Sequence, residues 1–279
     1  MADSLGIRVF FIKGPASVLQ GLRQAKLSAD VDVFVDPARL DELLQALRER
    51  GWHDRPVDPD SRTFPKHSVT VHHSEWPCCI DVHFRFPGME KPPRVCFESL
   101  WVNTETIALA GQQMRIPARE LGVLFLALHA LREPLLPACR QELDYLGELA
   151  RREGLSEGLL GLAGTTDALA AVRPFLEDLL PKTTSFVWPE ASVEWRNRVA
   201  SHEPGSARVL AILHATWRVK PRMLWGALFP PPEVFLGTNI YADMSMAGRL
   251  RQHRARWARF LRAMPRLVRD LRGLKSSGD

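Results

Sequence analysis

At 279 residues, 46% hydrophobic and 25% charged, the chain is long enough to bury a sizeable core and to form two packed units, which makes it globular and excludes a disordered class. The net charge of +5 is uneven: Arg249 to Lys275 holds ten basic residues against one acidic, Asp270, so any attraction to polyanions is concentrated at the C-terminus. The longest apolar stretch, near Leu121 to Leu131, is interrupted by His129 and is too short for a bilayer, and Met1 to Arg8 lacks a secretory signal pattern, so a soluble, cytoplasmic location is expected.

In chain order, Arg8 to Ile12 is a short apolar run that predicts a strand. It ends at Lys13-Gly14, with Pro15 placed for the first turn of a helix through Arg23. Asp30 to Val35 alternates, with Val31, Val33 and Val35 on one face and Asp30, Asp32 and Phe34 on the other. Asp36 then acts as an N-cap and Pro37 as the first helical residue. Leu40, Leu43, Leu44 and Leu47 repeat at helical spacing up to Gly51.

Asp54 to Pro65 reads as a loop, followed by strands at His67 to His72 and Cys79 to Phe86. In the second of these, Ile80, Val82, Phe84 and Phe86 share one face and Asp81, His83 and Arg85 the other. Val102 to Ile116 reads as a hairpin turning at Gly111. The rest is helical: Arg119 to Arg132, Ala138 to Arg152, a Gly-rich pair to Leu180, Ser206 to Trp217, and a long helix from Met246. This division predicts one unit over 1–117 and a second over 118–279.

The chemistry begins with Asp30 and Asp32. Residues two apart on a strand lie roughly 6.6 Å apart on one side, so the two carboxylates can converge on one ion. Left alone they repel, by roughly 4 kcal/mol at about 4 Å and an effective dielectric near 20, and a divalent cation turns that cost into attraction. Hard carboxylate oxygens suit Mg²⁺ or Mn²⁺, which keep waters and accept phosphate oxygens as further ligands. Upstream, Lys13-Gly14 is a small-residue turn that can receive phosphate; downstream, Asp81 supplies a third carboxylate.

The runs "FFIKGPAS", "KLSADVDVFVDPARLDELLQALRERGW" and "IDVHFRF" resemble the polymerase-beta type of nucleotidyltransferase, and more narrowly a bacterial nucleotidyltransferase-like family with LKG, DxD and DxHw motifs. The likeness is good across Val9 to Phe86 and looser into "IPARELGVLFLALHALREP". It implies an α+β fold, with a mixed β-sheet core and flanking helices followed by a mostly helical C-terminal domain, and an active site in the cleft between them. Asp30, Asp32 and Asp81 take the place of the catalytic and metal-binding carboxylates. Lys13, Gly14, Ser17, Lys26, Ser28 and His83 stand where the nucleotide is held.

Departures from the family pattern are Ala29 for Gly, Lys26 for Arg, and Lys-Gly-Pro-Ala-Ser in place of Gly-Ser at the first turn. The implied reaction is Mg²⁺- or Mn²⁺-dependent transfer of a nucleotidyl group from an NTP, with ATP the expected donor, to a small-molecule or peptide or protein acceptor. Asp81 is the expected base. A module that has kept the fold and lost turnover, and a nucleic-acid-directed enzyme, are the alternatives.

Other residues have simpler readings. Lys13 can be a solvated strand end, His129 a satisfied core histidine, and Asp144 a helix-surface group; Trp188, Trp195, Trp217 and Trp225 can be packing. His67, His72, His73 and Glu75 fit no compact zinc spacing, and Cys78, Cys79, Cys96 and Cys139 read as thiols. The terminal helix has one apolar and one cationic face. It fits docking on the helical unit or contact with a polyanion, an anionic membrane or a leader-peptide-like partner.

Overall fold

The computed structural model describes residues 1–25, 30–55, 65–134, 136–180, 186–199, 209, 212–213, 215–232, 234–235 and 242–276. They fall into two compact units, Met1–Asp54 with His67–Trp195, and Arg55–Lys66 with Arg196–Asp279. The expected boundary at 117 falls inside the first unit. Most of the loop expected at Asp54 to Pro65, and half of the helix expected at Ser206 to Trp217, lie outside the described residues.

The first unit is α+β and is organised on a five-stranded mixed sheet. Its strands are β1 (Val9–Phe11), β2 (Asp30–Val35), β3 (His53–Asp54), β4 (Ser68–His72) and β5 (Cys79–His83), in the spatial order β1-β2-β5-β4-β3. β2 and β5 run parallel while the other pairs are antiparallel. A parallel pair needs a long crossover, and here it is supplied by α2 (Leu40–Arg48), β3 and β4.

The valine face of β2 rests on α2, in a cluster of Ile7, Val35, Leu43, Leu44, Leu47, Trp52, Val71 and Val82, with Ile80 and Phe84 at its margin. The opposite face carries an aromatic core. Phe10 and Phe34 are cross-strand partners with stacked rings 5.3 Å apart, and Phe97 and Phe125 pack on Phe34 at 6.2 and 6.0 Å. Phe97 comes from α3 (Pro93–Trp101), a helix with no counterpart in the sequence reading, and Phe125 from α4 (Arg119–Ala130).

Helix α4 is buried almost all round, as expected of a helix apolar on every side. It is covered by α5 (Pro137–Glu153), α6 (Ser156–Thr165) and α7 (Leu169–Leu179). Gly154 ends α5 in the left-handed conformation, as its place after Arg152 predicts. The Thr104–Leu109 and Gln112–Pro117 strands, β6 and β7, form the expected hairpin, and its two turn residues, Ala110 and Gly111, both have positive φ, at 50° and 77°.

Helix α1 (Gly14–Leu19) stops four residues short of the expected Arg23. The chain beyond it is braced from outside: Gln20 donates to Pro117 O, Arg119 donates to Gln20 O, Tyr145 donates to Gly21 O, and Arg23 pairs with Glu142 at 2.8 Å.

Asp36 caps the turn after β2 by accepting from the Ala38 N–H at 3.0 Å, and it also pairs with Arg8 at 2.6 Å. Burial opposes its ionisation, but the Arg8 guanidinium and the Ala38 N–H outweigh burial and hold its carboxyl below the usual range. A depressed carboxylate pKa adds stability that is complete above the ordinary aspartate value, near 4, and is lost as pH falls through the folded value. Asp36→Ala is therefore expected to cost about 2 kcal/mol near neutrality. Urea unfolding at pH 7 and at pH 3 checks this, since the gap between variant and parent should shrink at the lower pH.

In the second unit the terminal helix Met246–Ser276 crosses the end of the helix Lys220–Leu228. Arg256 and Trp257 donate to the carbonyls of Ala227 and Leu228, which satisfies acceptors that a helix C-terminus leaves open. Arg251, Arg254, Arg259 and Arg262 are exposed on the terminal helix. Two of the tryptophans read as packing are instead exposed, Trp217 at 77% and Trp225 at 67%, whereas Trp195 is buried. Among the described residues no helix is long and apolar enough to cross a membrane.

Candidate active site

Parallel pairing places Asp32 opposite Asp81 and Phe34 opposite His83. All four side chains belong to the sheet face that carries the aromatic core, because residues two apart on a strand share a side. Two carboxylates are thus forced together on neighbouring strands, and the structure shows what relieves them. His83 Nε2 lies 2.8 Å from Asp32 Oδ1 and 3.1 Å from Asp81 Oδ2, and Lys13 Nζ lies 3.0 Å from Asp32 Oδ1. Thr70 Oγ1 donates to Asp81 at 2.9 Å. One ligand atom each from Asp32, Asp81 and His83 falls within 4.8 Å of the others.

Burial opposes the charge on all three groups, and the partners decide the outcome. The hydrogen bond from His83 and the Lys13 charge hold Asp32 below the usual carboxylate range, and His83, Ser68 and Thr70 hold Asp81 well below it. The two carboxylates in turn raise His83 above its ordinary value, although its ring is only 2% exposed. A proton on His83 therefore bridges the carboxylates. Ligand atoms bind metal only when unprotonated, so a divalent cation and this proton compete for the same point. The His83 ring is fixed by Phe34, stacked at 6.5 Å, and by Phe86 at 6.1 Å.

Lys13 is not a solvated strand end. Its side chain is 10% exposed, and its backbone sits at φ 61°, ψ −153°, a region costly for any residue but glycine. Gly14 follows with φ 59°. The chain thus turns sharply at the end of β1, which aims the Lys13 ammonium at Asp32. Ser17 is buried in α1. Asp30, the first residue of β2, is exposed beside Cys79 and does not join the group that closes to within 4.8 Å; His83 takes the third position. Lys26 and Ser28 lie outside the described residues.

Two expectations are corrected. The β5 strand ends at His83, so the alternation fails beyond it. Phe86 does not join Ile80, Val82 and Phe84 but turns to the aromatic face, with its ring edge-on to Phe125 at 4.7 Å. His129 is not a satisfied core histidine, for its Nδ1 is buried without a hydrogen-bond partner among the described residues. Burial, then the charges of Lys13 and Arg132, push its imidazole down to about 3, which leaves it neutral near pH 7. The signal that could have found it is a lone polar residue in an otherwise apolar helix, followed one turn later by Arg132.

No protein of curated function matches the chain. Among solved structures it is similar to the lincosamide antibiotic adenylyltransferase LnuA, bound to lincomycin, at 14% identity and a TM-score of 0.36, over 52% of this chain and 89% of that one. It is similar also to an antigenic nucleotidyltransferase-like protein from Paracoccidioides brasiliensis, at 14% identity and a TM-score of 0.36, over 63% of this chain and 87% of that one. The profile of a family described as uncharacterised nucleotidyltransferase matches residues 3–156, more than half of the chain and the whole carboxylate centre, and the chain therefore belongs to that family.

Proposed function

We propose that this chain transfers a nucleotidyl group, AMP from ATP, to a small-molecule or peptide or protein acceptor, with Mg²⁺ or Mn²⁺ held at Asp32, Asp81 and His83. The observation that carries this reading is the in-register meeting of Asp32 and Asp81 with His83 Nε2 between them. The donor set fits such an ion. Ligands about 2.1 Å from an octahedral cation lie about 3 to 4 Å from one another, within the spread of these atoms. Two carboxylates suit Mg²⁺ or Mn²⁺, and the imidazole favours Mn²⁺ of the two.

When bound, the cation supplies Lewis acidity that stabilises charge on the phosphoryl oxygens and eases deprotonation of the attacking oxygen. Asp32 and Asp81 hold it from adjacent strands. Lys13 places positive charge beside Asp32, where a phosphate would otherwise meet only carboxylates. A base works best with a pKa near the operating pH. With His83, Ser68 and Thr70 lowering its proton affinity, Asp81 is suited to holding the cation, and service as the base would need that affinity raised when the cation takes the place of the His83 proton.

The test is incubation of the full chain with α-labelled NTPs, Mg²⁺ or Mn²⁺ and a panel of acceptors, with label transfer read by mass and pyrophosphate measured. Transfer that needs the cation and releases pyrophosphate is the expected result. NTP that binds and is never turned over by any acceptor would leave a binding module instead.

Lys13→Gly is a second check. Glycine relieves a backbone strain of roughly 1 to 3 kcal/mol but removes the ammonium. The variant is expected to lose transfer by about 100-fold while its thermal midpoint stays within a few degrees of the parent's. Calorimetry with the same transfer assay checks both halves. A midpoint more than about 10 °C lower would show that the lysine serves the fold.

A further inference from the structure

The end of α4 carries polar groups that the carboxylate centre does not use. Phe125, His129 and Arg132 follow one another at four- and three-residue spacing, so they line one side of the helix end. The Arg132 N–H donates to His129 O at 3.4 Å, which continues the last turn. That side meets Phe86, just beyond the end of β5, whose ring is fully buried and lies edge-on to Phe125. Two cations from different elements sit on this one ring: the Arg132 guanidinium at 4.8 Å from its centroid and the Lys13 ammonium at 5.8 Å. Lys13 is also bonded to Asp32, so the cationic seat is continuous with the carboxylate centre.

We propose that Arg132 and His129, together with Lys13, form the subsite that takes the polyphosphate of the nucleotide. This rests on the nucleotidyl-transfer reading above and names the residues that would hold its donor.

Three observations converge. Cations clustered in a poorly solvated place favour an anion, and a guanidinium offers paired donors that match phosphate oxygens. The ring beneath them is buried and has no face free for stacking a base, which points to phosphate in preference to nucleobase. The buried Nδ1 of His129 has no partner among the described residues, a state that costs about 1 to 3 kcal/mol if nothing satisfies it. Held neutral by burial and then by the cations around it, His129 can present an N–H to a phosphate oxygen without adding a charge. Arriving phosphate in turn offsets the positive field of Lys13, Arg132 and Arg23 at His129.

The probe is inorganic tripolyphosphate, titrated calorimetrically into the full chain, its Arg132→Gln, Arg132→Lys, His129→Ala and His129→Gln variants, and Arg48→Gln as a control on α2, which packs on the opposite face of the sheet. Arg132→Gln is expected to weaken binding about tenfold or more and to raise the KM for NTP with kcat little changed. Arg132→Lys, which keeps the charge and loses the paired donors, should recover only part of the affinity lost in Arg132→Gln. His129→Ala should weaken binding several-fold, and His129→Gln, whose amide can still donate, should recover part of it. Arg48→Gln should match the parent.

No tripolyphosphate binding by the parent overturns the subsite. So does unchanged affinity in folded Arg132→Gln and His129→Ala. If the parent binds tripolyphosphate and Arg132→Gln loses it while no NTP is ever turned over, the transfer reading fails and the subsite stands. Full transfer with unaffected Arg132 and His129 variants is the reverse. Should Arg132→Gln unfold, the comparison of Arg132→Lys with His129→Ala decides.

Discussion

Asp32→Asn is expected to lower nucleotidyl transfer by on the order of 10³-fold or more while leaving the chain folded. The amide keeps the size of the carboxylate and an oxygen that can accept from Lys13 and His83, so the loss is one of charge. Asp32 is the point where three contacts meet: Lys13 at 3.0 Å, His83 at 2.8 Å, and Asp81 directly across the parallel strands. Without its charge a cation would be held by Asp81 and His83 alone, and Lys13 would face a neutral partner. Some stability is expected to be lost at neutral pH, because Lys13 and His83 hold Asp32 below the usual carboxylate range and its charge therefore favours the fold. The checks are the transfer assay at saturating NTP and a thermal melt. Turnover within tenfold of the parent would remove Asp32 from the chemistry.

Phe34→Ala is the largest expected stability effect, about 3 to 5 kcal/mol, a substantial part of the roughly 5 to 15 kcal/mol that holds a domain folded. The ring is completely buried and touches Phe10, Phe97 and Phe125, so its removal leaves a cavity bounded by a strand and two helices that cannot readily close. It is also one wall of the His83 ring, stacked at an interplanar angle of 14°. Activity should therefore fall even at temperatures where the variant is folded. Phe34→Leu fills most of the space and should cost about 1 to 2 kcal/mol. Urea unfolding measures both, and a cost below about 1 kcal/mol for the alanine would mean that the aromatic face is not the core of this unit.

The parts legible in the sequence are those written in short-range pattern. The valine alternation of β2, the Asp36 cap with Pro37 behind it, and the leucine spacing of α2 each occupy a few consecutive residues, and each forms at or within a few residues of its expected place. The carboxylates of Asp32 and Asp81 were legible for the same reason: acidic residues on the polar side of a strand conflict with burial unless something compensates them. Helix α3 was not legible. Its two leading prolines and its short length hid the helical spacing that Cys96, Phe97 and Leu100 carry, and its place is fixed by Phe97 and Leu100 entering a core built from distant strands.

The amino-acid order by itself determined the first sheet strands, most of the helical series, the family and the two aspartates at the centre, because each rests on neighbours within a turn or a strand's length. Only the tertiary structure decided that His83, and not Asp30, closes with Asp32 and Asp81 to within 4.8 Å, that β5 ends early and sends Phe86 to the other face, and that Lys13 and Arg132 both sit on that ring with His129 in their field. Those outcomes depend on strand register and helix packing between residues far apart along the chain. Charge and burial at such a point are set by what arrives from elsewhere, which no local pattern records.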